Sequence, residues 1–324
     1  MKNVECAVCG SNSSGLLYRT EDLYLGIPGN FSIVKCAVCG FVFLNPQLSG
    51  EDFEKYYPNY YFTRANNGIV TEADEKRLHK IYRKRSELVK ECKNFGDLLD
   101  VGSGDGLFLH YLMRIGWKGR LTGIEPSNKA AGFSKTLGVD VYQGDLGSVD
   151  LGKEKFDLVT FWEVLEHLPE LNFNLRKAYD VLRSGGVLSA SVPNYGSLQS
   201  IIFGKYWNAI DAPRHFYQFT AKDIQTILEK NNFKNIRIRS TSILRFNMDG
   251  YSESLRFFLR TRGLYPKKAG LTQFPDDRVL KRSFIRKILA ACLHSVEFIV
   301  FLPIEILGLL FNRGSVLFIT AEKK

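Results

Sequence analysis

The segment Leu98–Gly106, LLDVGSGDG, constrains this chain more than any other. A short apolar run able to form a buried strand passes into glycines at alternate positions, Gly102, Gly104 and Gly106, and then into LFLHYLMRI, apolar at helical spacing. A strand that enters a helix through such a turn can present backbone N–H groups to a ligand at the helix N-terminus. Turns of this kind belong to parallel sheets, whose strands are joined by helices. The texture from Gly96 onward agrees. Apolar runs at 97–101, 120–124, 139–142, 156–161 and 187–192 alternate with amphipathic stretches, and helices are expected at 107–115 and 221–231, with further strands near 235–241 and 315–320. The fold class read from this pattern is α/β, a doubly wound, mostly parallel seven-stranded sheet.

The residues around the turn select among ligands. A dinucleotide fingerprint needs a third glycine where this chain has Leu107, and Asp100 would face an incoming pyrophosphate. Phosphate is disfavoured, and a ligand bearing positive charge would gain from the carboxylate. Glu125 ends the second strand, at the offset where an acid reaches ribose hydroxyls. Asp145, in YQGDL, can accept from an adenine amino group, with Leu146 packing on the ring. These are contacts to adenosine without a phosphate site.

With DVGSGDG, GIEPS, GDL, FDLVTFWEVLEHL and LRSGGVL in order, residues 96–192 resemble a class I S-adenosylmethionine-dependent methyltransferase of Rossmann-like fold. The resemblance implies that Asp100, Gly102, Ser103 and Gly104 hold the methionine part of the cofactor. It places Glu125 and Pro126 at the ribose, Asp145 and Leu146 at the adenine, and Trp162 and Glu163 at the methionine end.

Cys6, Cys9, Cys36 and Cys39 form two C-x2-C pairs, each followed by a glycine. Four thiolates in two such knuckles can close a tetrahedral Zn(II) shell with no open position, so the metal is expected to be structural, in an N-terminal zinc ribbon. Cys92 and Cys292 read as packed thiols.

Methyl transfer to a hydroxyl or carbon acid needs a base near neutral pKa. Of the five histidines, His167 and His215 fall near the expected mouth of the sheet. Zinc-containing sugar methyltransferases of bacterial polysaccharide biosynthesis resemble this chain in the cysteine pairs, the tyrosine-rich link and the P-x-H segment at Pro213–His215. The resemblance implies that His215 is the base; Arg214 stands where several relatives have an acid. Tyr56, Tyr57, Tyr60 and Tyr61 could close over a substrate or pack between domains.

The domain reading is a zinc-ribbon segment at 1–50, a tyrosine-rich linker and connecting helix at 51–95, a cofactor core at 96–243, a basic and apolar helical insertion at 244–313 and a final strand at 314–324. A formal net charge of +10 favours an anionic partner. The insertion runs into ILAACLHSVEFIVFLPIEILGLLF at 288–311. That length could span a bilayer, but His294, Glu297 and Glu305 fall on one helical stripe and Pro303 interrupts it. The expectation is a bent amphipathic hairpin on an anionic membrane or a buried helix pair over the sheet. The overall expectation is an enzyme acting on a sugar or lipid-linked glycan precursor in the cytoplasm, with an rRNA methyltransferase and a catalytically silent cofactor binder as alternatives.

Overall fold

The computed structural model describes residues 1–58, 72–93, 95–153, 155–241, 244–264 and 299–324. Tyr60, Tyr61, Cys292, His294, Glu297 and the first part of 288–311 lie outside the described residues. Strands β1 (Ser14–Thr20), β2 (Phe31–Cys36) and β3 (Val42–Leu44) are followed by helices α1 (Asp52–Tyr56) and α2 (Glu72–Cys92). The alternation then runs β4 (Leu98–Val101), α3 (Leu107–Arg114), β5 (Leu121–Glu125), α4 (Asn128–Thr136), β6 (Asp140–Gln143), β7 (Phe156–Trp162), α5 (Leu171–Val181) and β8 (Leu182–Pro193). Beyond it come α6 (Leu198–Phe203), β9 (Tyr217–Gln218), α7 (Ala221–Lys230), β10 (Lys234–Thr241), α8 (Leu244–Thr261) and β11 (Val316–Glu322).

The chain divides into two compact units. One comprises Gly50–Val192, Ala221–Arg239 and Phe318–Lys324. Its seven-stranded sheet has the order β10-β11-β8-β7-β4-β5-β6, as the sequence predicts in number and class. Strand β4 pairs in parallel with β5 on one side and with β7 on the other, Leu98 lying opposite Leu121 and Leu158. The chain therefore leaves β4 toward β5 and β6 and returns to its other flank as β7, which makes the carboxyl end of β4 a topological switch point. All four residues of β4 are buried, as expected for a strand covered on both faces. Leu107–Leu109 and Leu112 of α3, Tyr82, Leu88 and Val89 of α2, and Trp162 and Phe318 share one core cluster.

The other unit comprises Met1–Ser49, Pro193–Thr220 and Ser240–Leu317. It holds a four-stranded antiparallel sheet of order β1-β2-β3-β9. Val42 and Phe43 pair with Gln218 and Tyr217, and the rings of Phe41, Phe43, Tyr217 and Phe219 pack at centroid distances of 5.7–6.0 Å. The residues around His215, which the sequence assigns to the 96–243 stretch, thus fold with the N-terminal strands. An aromatic surface that neither segment could bury alone accounts for this.

Between β10 and β11 the described residues form α8 and a helix at 299–310. Glu305, one of the residues of the polar stripe, lies inward. It is 1% exposed and accepts hydrogen bonds from Tyr251 Oη at 3.1 Å and Ser315 Oγ at 2.9 Å, which is how an acid comes to lie inward. No helix among the described residues is long and apolar enough to cross a membrane.

Candidate cofactor site and metal centre

The glycine turn joins β4 to α3 at the switch point. Gly102, Gly104 and Gly106 all have positive φ (68°, 57° and 71°), a region closed to most side chains. At Gly102 a Cβ would also stand 2.7 Å from Val164 Cγ2. Four N–H groups of this turn are committed internally. Gly102 and Ser103 donate to the Ile124 carbonyl at 2.9 and 3.0 Å, Gly104 to Glu125 Oε2 at 2.8 Å and Gly106 to the Ser103 carbonyl at 3.0 Å. Glu125, brought alongside the turn by the next strand, takes the donor a phosphate would need.

Three buried carboxylates, Asp100, Asp105 and Glu125, lie at this point. Asp100 is 3% exposed and accepts from Thr160 Oγ1 at 2.6 Å. Burial pushes its pKa up to about 7, with Glu125 adding to the rise while the Thr160 hydroxyl and the Arg85 guanidinium oppose it. Glu125 is 2% exposed, and its Oε1 accepts from the Ser127 N–H at 2.8 Å. Burial raises its pKa as well, against the N–H groups of Ser127 and Gly104, and the charge of Asp105 adds to the rise. Buried acids gathered at the turn suit a cationic, hydroxyl-bearing ligand. Buried Ser103 Oγ and Trp162 Nε1 find no hydrogen-bond partner among the described residues, polar atoms that a ligand could satisfy.

The other residues expected at the cofactor lie in the same unit. Asp145 is exposed and caps its own turn, Oδ1 accepting from the N–H groups of Gly147 and Ser148 at 2.8 Å, beside buried Leu146. Pro126 is exposed. The Trp162 ring stacks on Phe318 at 6.1 Å and meets the edge of Phe108 at 5.5 Å, within the core cluster. Glu163 sits at φ 59°, a strained conformation for a non-glycine residue, and accepts from Ser191 Oγ at 2.6 Å. His167 Nδ1 and the Tyr57 hydroxyl lie 3.1 Å apart, so Tyr57 joins this unit beside His167.

In the other unit the four cysteines converge. Their Sγ atoms all lie within 4.8 Å of one another, with Cys6–Cys39 and Cys9–Cys36 at 3.5 Å. A tetrahedral Zn–S shell with bonds of about 2.3 Å has S–S edges of about 3.8 Å, so the cluster is compatible with zinc. Each knuckle is closed by a glycine in the left-handed region, the Gly10 and Gly40 N–H groups donating to the Cys6 and Cys36 carbonyls. Burial raises the pKa of Cys6 and Cys39 and opposes ionisation of Cys36, where the N–H groups of Cys39 and Val38 and the neighbouring thiols outweigh it and lower the pKa, so the thiols share charge unequally.

His215 belongs to this second unit. Its Nδ1 is 2.8 Å from the Ala209 carbonyl, and its Nε2 is 3.9 Å from Asp211 Oδ2. Burial lowers its pKa, with Asp211 and the Ala209 carbonyl opposing and Arg214 adding to the drop. Arg214 is fully buried and bidentate to Asp22, through Nη1 at 2.8 Å and Nη2 at 2.7 Å, while its Nε and Nη2 hold Asp211. The acid beside the histidine is thus Asp211, four residues before it at the start of a turn whose His215 N–H donates back to the Asp211 carbonyl. The sequence reading, which looked for an acid at position 214, passed over Asp211 and Asp22. The i,i+4 spacing of Asp211 and His215 was the signal available.

The methyltransferase-domain profile matches residues 73–238, about half of the chain. A ubiquinone biosynthesis O-methyltransferase of Rhizobium leguminosarum bv. trifolii is 29% identical over 137 residues, 36% of this chain and 54% of that protein. One from Methylobacterium sp. is 33% identical over 103 residues, 30% of this chain and 41% of the relative. The chain spans about half the length of the curated relatives it matches. Phosphoethanolamine N-methyltransferase 2 of Haemonchus contortus, solved in complex with S-adenosyl-L-methionine, superimposes with a TM-score of 0.51 at 15% identity, over 95% of this chain and 71% of that one. That likeness concerns the fold. With the profile spanning the stretch from the connecting helix through the switch-point turn and its buried acids to β10, the chain belongs to the methyltransferase-domain family.

Proposed function

We propose that the protein transfers a methyl group from S-adenosylmethionine to a hydroxyl of a sugar or lipid-linked glycan precursor. The observation that carries the cofactor reading is the turn itself: four of its N–H groups are spent internally and two buried acids, Asp100 and Glu125, stand beside it, where a cationic, hydroxyl-bearing ligand gains. When bound, S-adenosylmethionine supplies a methyl on a sulfonium, already activated toward displacement. The work left to the chain is to hold, orient and take a proton.

Asp100, Ser103 and the turn glycines would hold the methionine end with Trp162 and Glu163. Glu125 has lone pairs left for ribose hydroxyls, and Asp145 with Leu146 would take the adenine. His215 is the proposed base. Bonded to a carbonyl through Nδ1, the neutral ring carries its proton there and its lone pair on Nε2. Its lowered pKa keeps it neutral at pH 7, and the nearby Asp211 carboxylate would stabilise the imidazolium that forms. The four cysteines would hold one structural zinc.

The curated relatives named as ubiquinone biosynthesis O-methyltransferases favour oxygen as the methylated atom and give a second reading of the acceptor, a phenolic hydroxyl. Incubation with labelled S-adenosylmethionine and a panel of nucleotide sugars, lipid-linked glycans, quinone-precursor phenols and rRNA separates the readings. Label on a sugar hydroxyl is expected. Label only on a phenol establishes the second reading, and label only on RNA overturns both. His215→Ala should abolish turnover while cofactor affinity stays within about twofold; cofactor binding without turnover on any acceptor in the unmodified protein would leave a silent binder.

A further inference from the structure

The helix at 299–310 carries its polarity inside out. At 100° per residue, Phe301, Glu305 and Gly308 fall on one face, and all three are buried. Phe301 stacks on Tyr251 at 4.8 Å and meets Phe203 at 5.9 Å, and Glu305 is held by Tyr251 and Ser315. The opposite arc consists of apolar side chains, with Ile299 71%, Leu310 74% and the following Phe311 73% exposed, and Val300, Ile306 and Leu307 each about half exposed. A helix facing water ordinarily turns its charged residues outward. Here the one acid among the helix's described residues is the residue turned in.

Helix α6 widens this surface. It runs antiparallel to the 299–310 helix, the Leu198 N–H donating to the Arg313 carbonyl at 3.2 Å at one end and Phe203 meeting Phe301 at the other. Its outward residues Ile201 and Ile202 are 59% and 51% exposed. Contiguous apolar surface of this kind marks a place where water is meant to be excluded. Cations border it: Lys205 follows α6, Arg313 follows the helix and Arg262 ends α8, all exposed. In sequence, the stretch from Arg256 to Lys287, most of it outside the described residues, holds ten Lys and Arg against Asp276 and Asp277.

We propose that this face docks the protein onto an anionic lipid surface, lying in the interface without spanning it. Apolar side chains ringed by cations complement acyl chains beneath negative headgroups. A second copy is a poorer occupant, because a two-fold contact would set the same cations against each other. The docking stands apart from the methyl-transfer reading and from any choice of acceptor.

Co-flotation of the full chain with phosphatidylglycerol-containing and with phosphatidylcholine vesicles tests it, with light scattering run in parallel. At low salt the bound fraction on phosphatidylglycerol should exceed that on phosphatidylcholine at least tenfold and fall as salt rises. The double variant Ile306→Glu, Leu310→Glu should lose at least tenfold of that binding with its melting temperature retained. Lys205→Gln and Arg313→Gln, which leave the apolar face intact, should each weaken binding about fivefold, from about 1 kcal/mol per cation near the surface. Equal, negligible binding to both vesicles would overturn the proposal, as would a dimer that the Glu variants dissociate.

Discussion

Asp100 is an acid that folding favours in its protonated form. Burial, aided by Glu125, raises its pKa from 3.8 to about 7 against the Thr160 hydroxyl and Arg85. Its contribution to the stability of the free protein is therefore complete below pH 3.8 and is lost as pH rises through about 7. Asp100→Asn should flatten the melting temperature across that window. A cationic cofactor favours the ionised acid, so its binding should tighten as pH approaches 7 and release a proton, which calorimetry in buffers of different ionisation enthalpy detects. Glu125 has a double task, since Gly104 and Ser127 both donate to it. Glu125→Ala leaves two N–H groups without acceptors, at about 1–3 kcal/mol for each that stays buried. The melting temperature should fall and S-adenosylmethionine affinity drop about tenfold to a hundredfold; unchanged affinity by calorimetry would remove Glu125 from the site. Both acids were legible because each stands at a fixed offset from a strand end. What Glu125 accepts was not, since a hydrogen bond from Gly104 needs two strands already side by side.

At the scale of elements, the buried Asp22–Arg214–Asp211 cluster holds the His215 turn against the loop after β1. Arg214→Met takes the cation from two buried carboxylates. It should destabilise this unit by about 3–5 kcal/mol, read as a shift in the urea midpoint. Arg214→Lys should rescue little, because a single ammonium cannot reproduce the fork that serves both acids. A variant as stable as the parent would show that the carboxylates escape to water. The strands of the parallel sheet were legible to within a few residues, because apolar runs covered on both faces carry their own signal. Strand β9 carries none. It is two residues long, and its identity lies in pairing with Val42 and Phe43, some 170 residues earlier in the chain. Asp22 and Arg214, 192 residues apart, were hidden for the same reason.

At the scale of the whole molecule, the chain passes between its two units at Ser49, Val192, Thr220, Arg239 and Leu317, so neither unit is a single stretch of sequence. The cysteine pairs suggest a ribbon that folds on its own within 1–50, because their spacing makes a complete metal shell locally. The shell is local, but the hydrophobic core around it is not. Phe41 and Phe43 are buried against Tyr217 and Phe219, and Asp22 neutralises Arg214. Removal of residues 1–49 should therefore do more than delete a metal site. It strips β9 of its partner strand β3, uncovers those aromatic rings and takes Asp22 from Arg214, so the truncated chain is expected to be insoluble or to lose its near-ultraviolet dichroism. Cys36→Ser in the full chain keeps those side chains. It should lose zinc and lower the first unfolding transition while S-adenosylmethionine still raises the melting of the parallel-sheet unit, by about 2.7 kcal/mol at a hundredfold excess over Kd. A truncated protein that stays soluble and melts cooperatively would mean that the N-terminal strands are an appendage, and the shared aromatic core would then contribute nothing to holding the His215 turn.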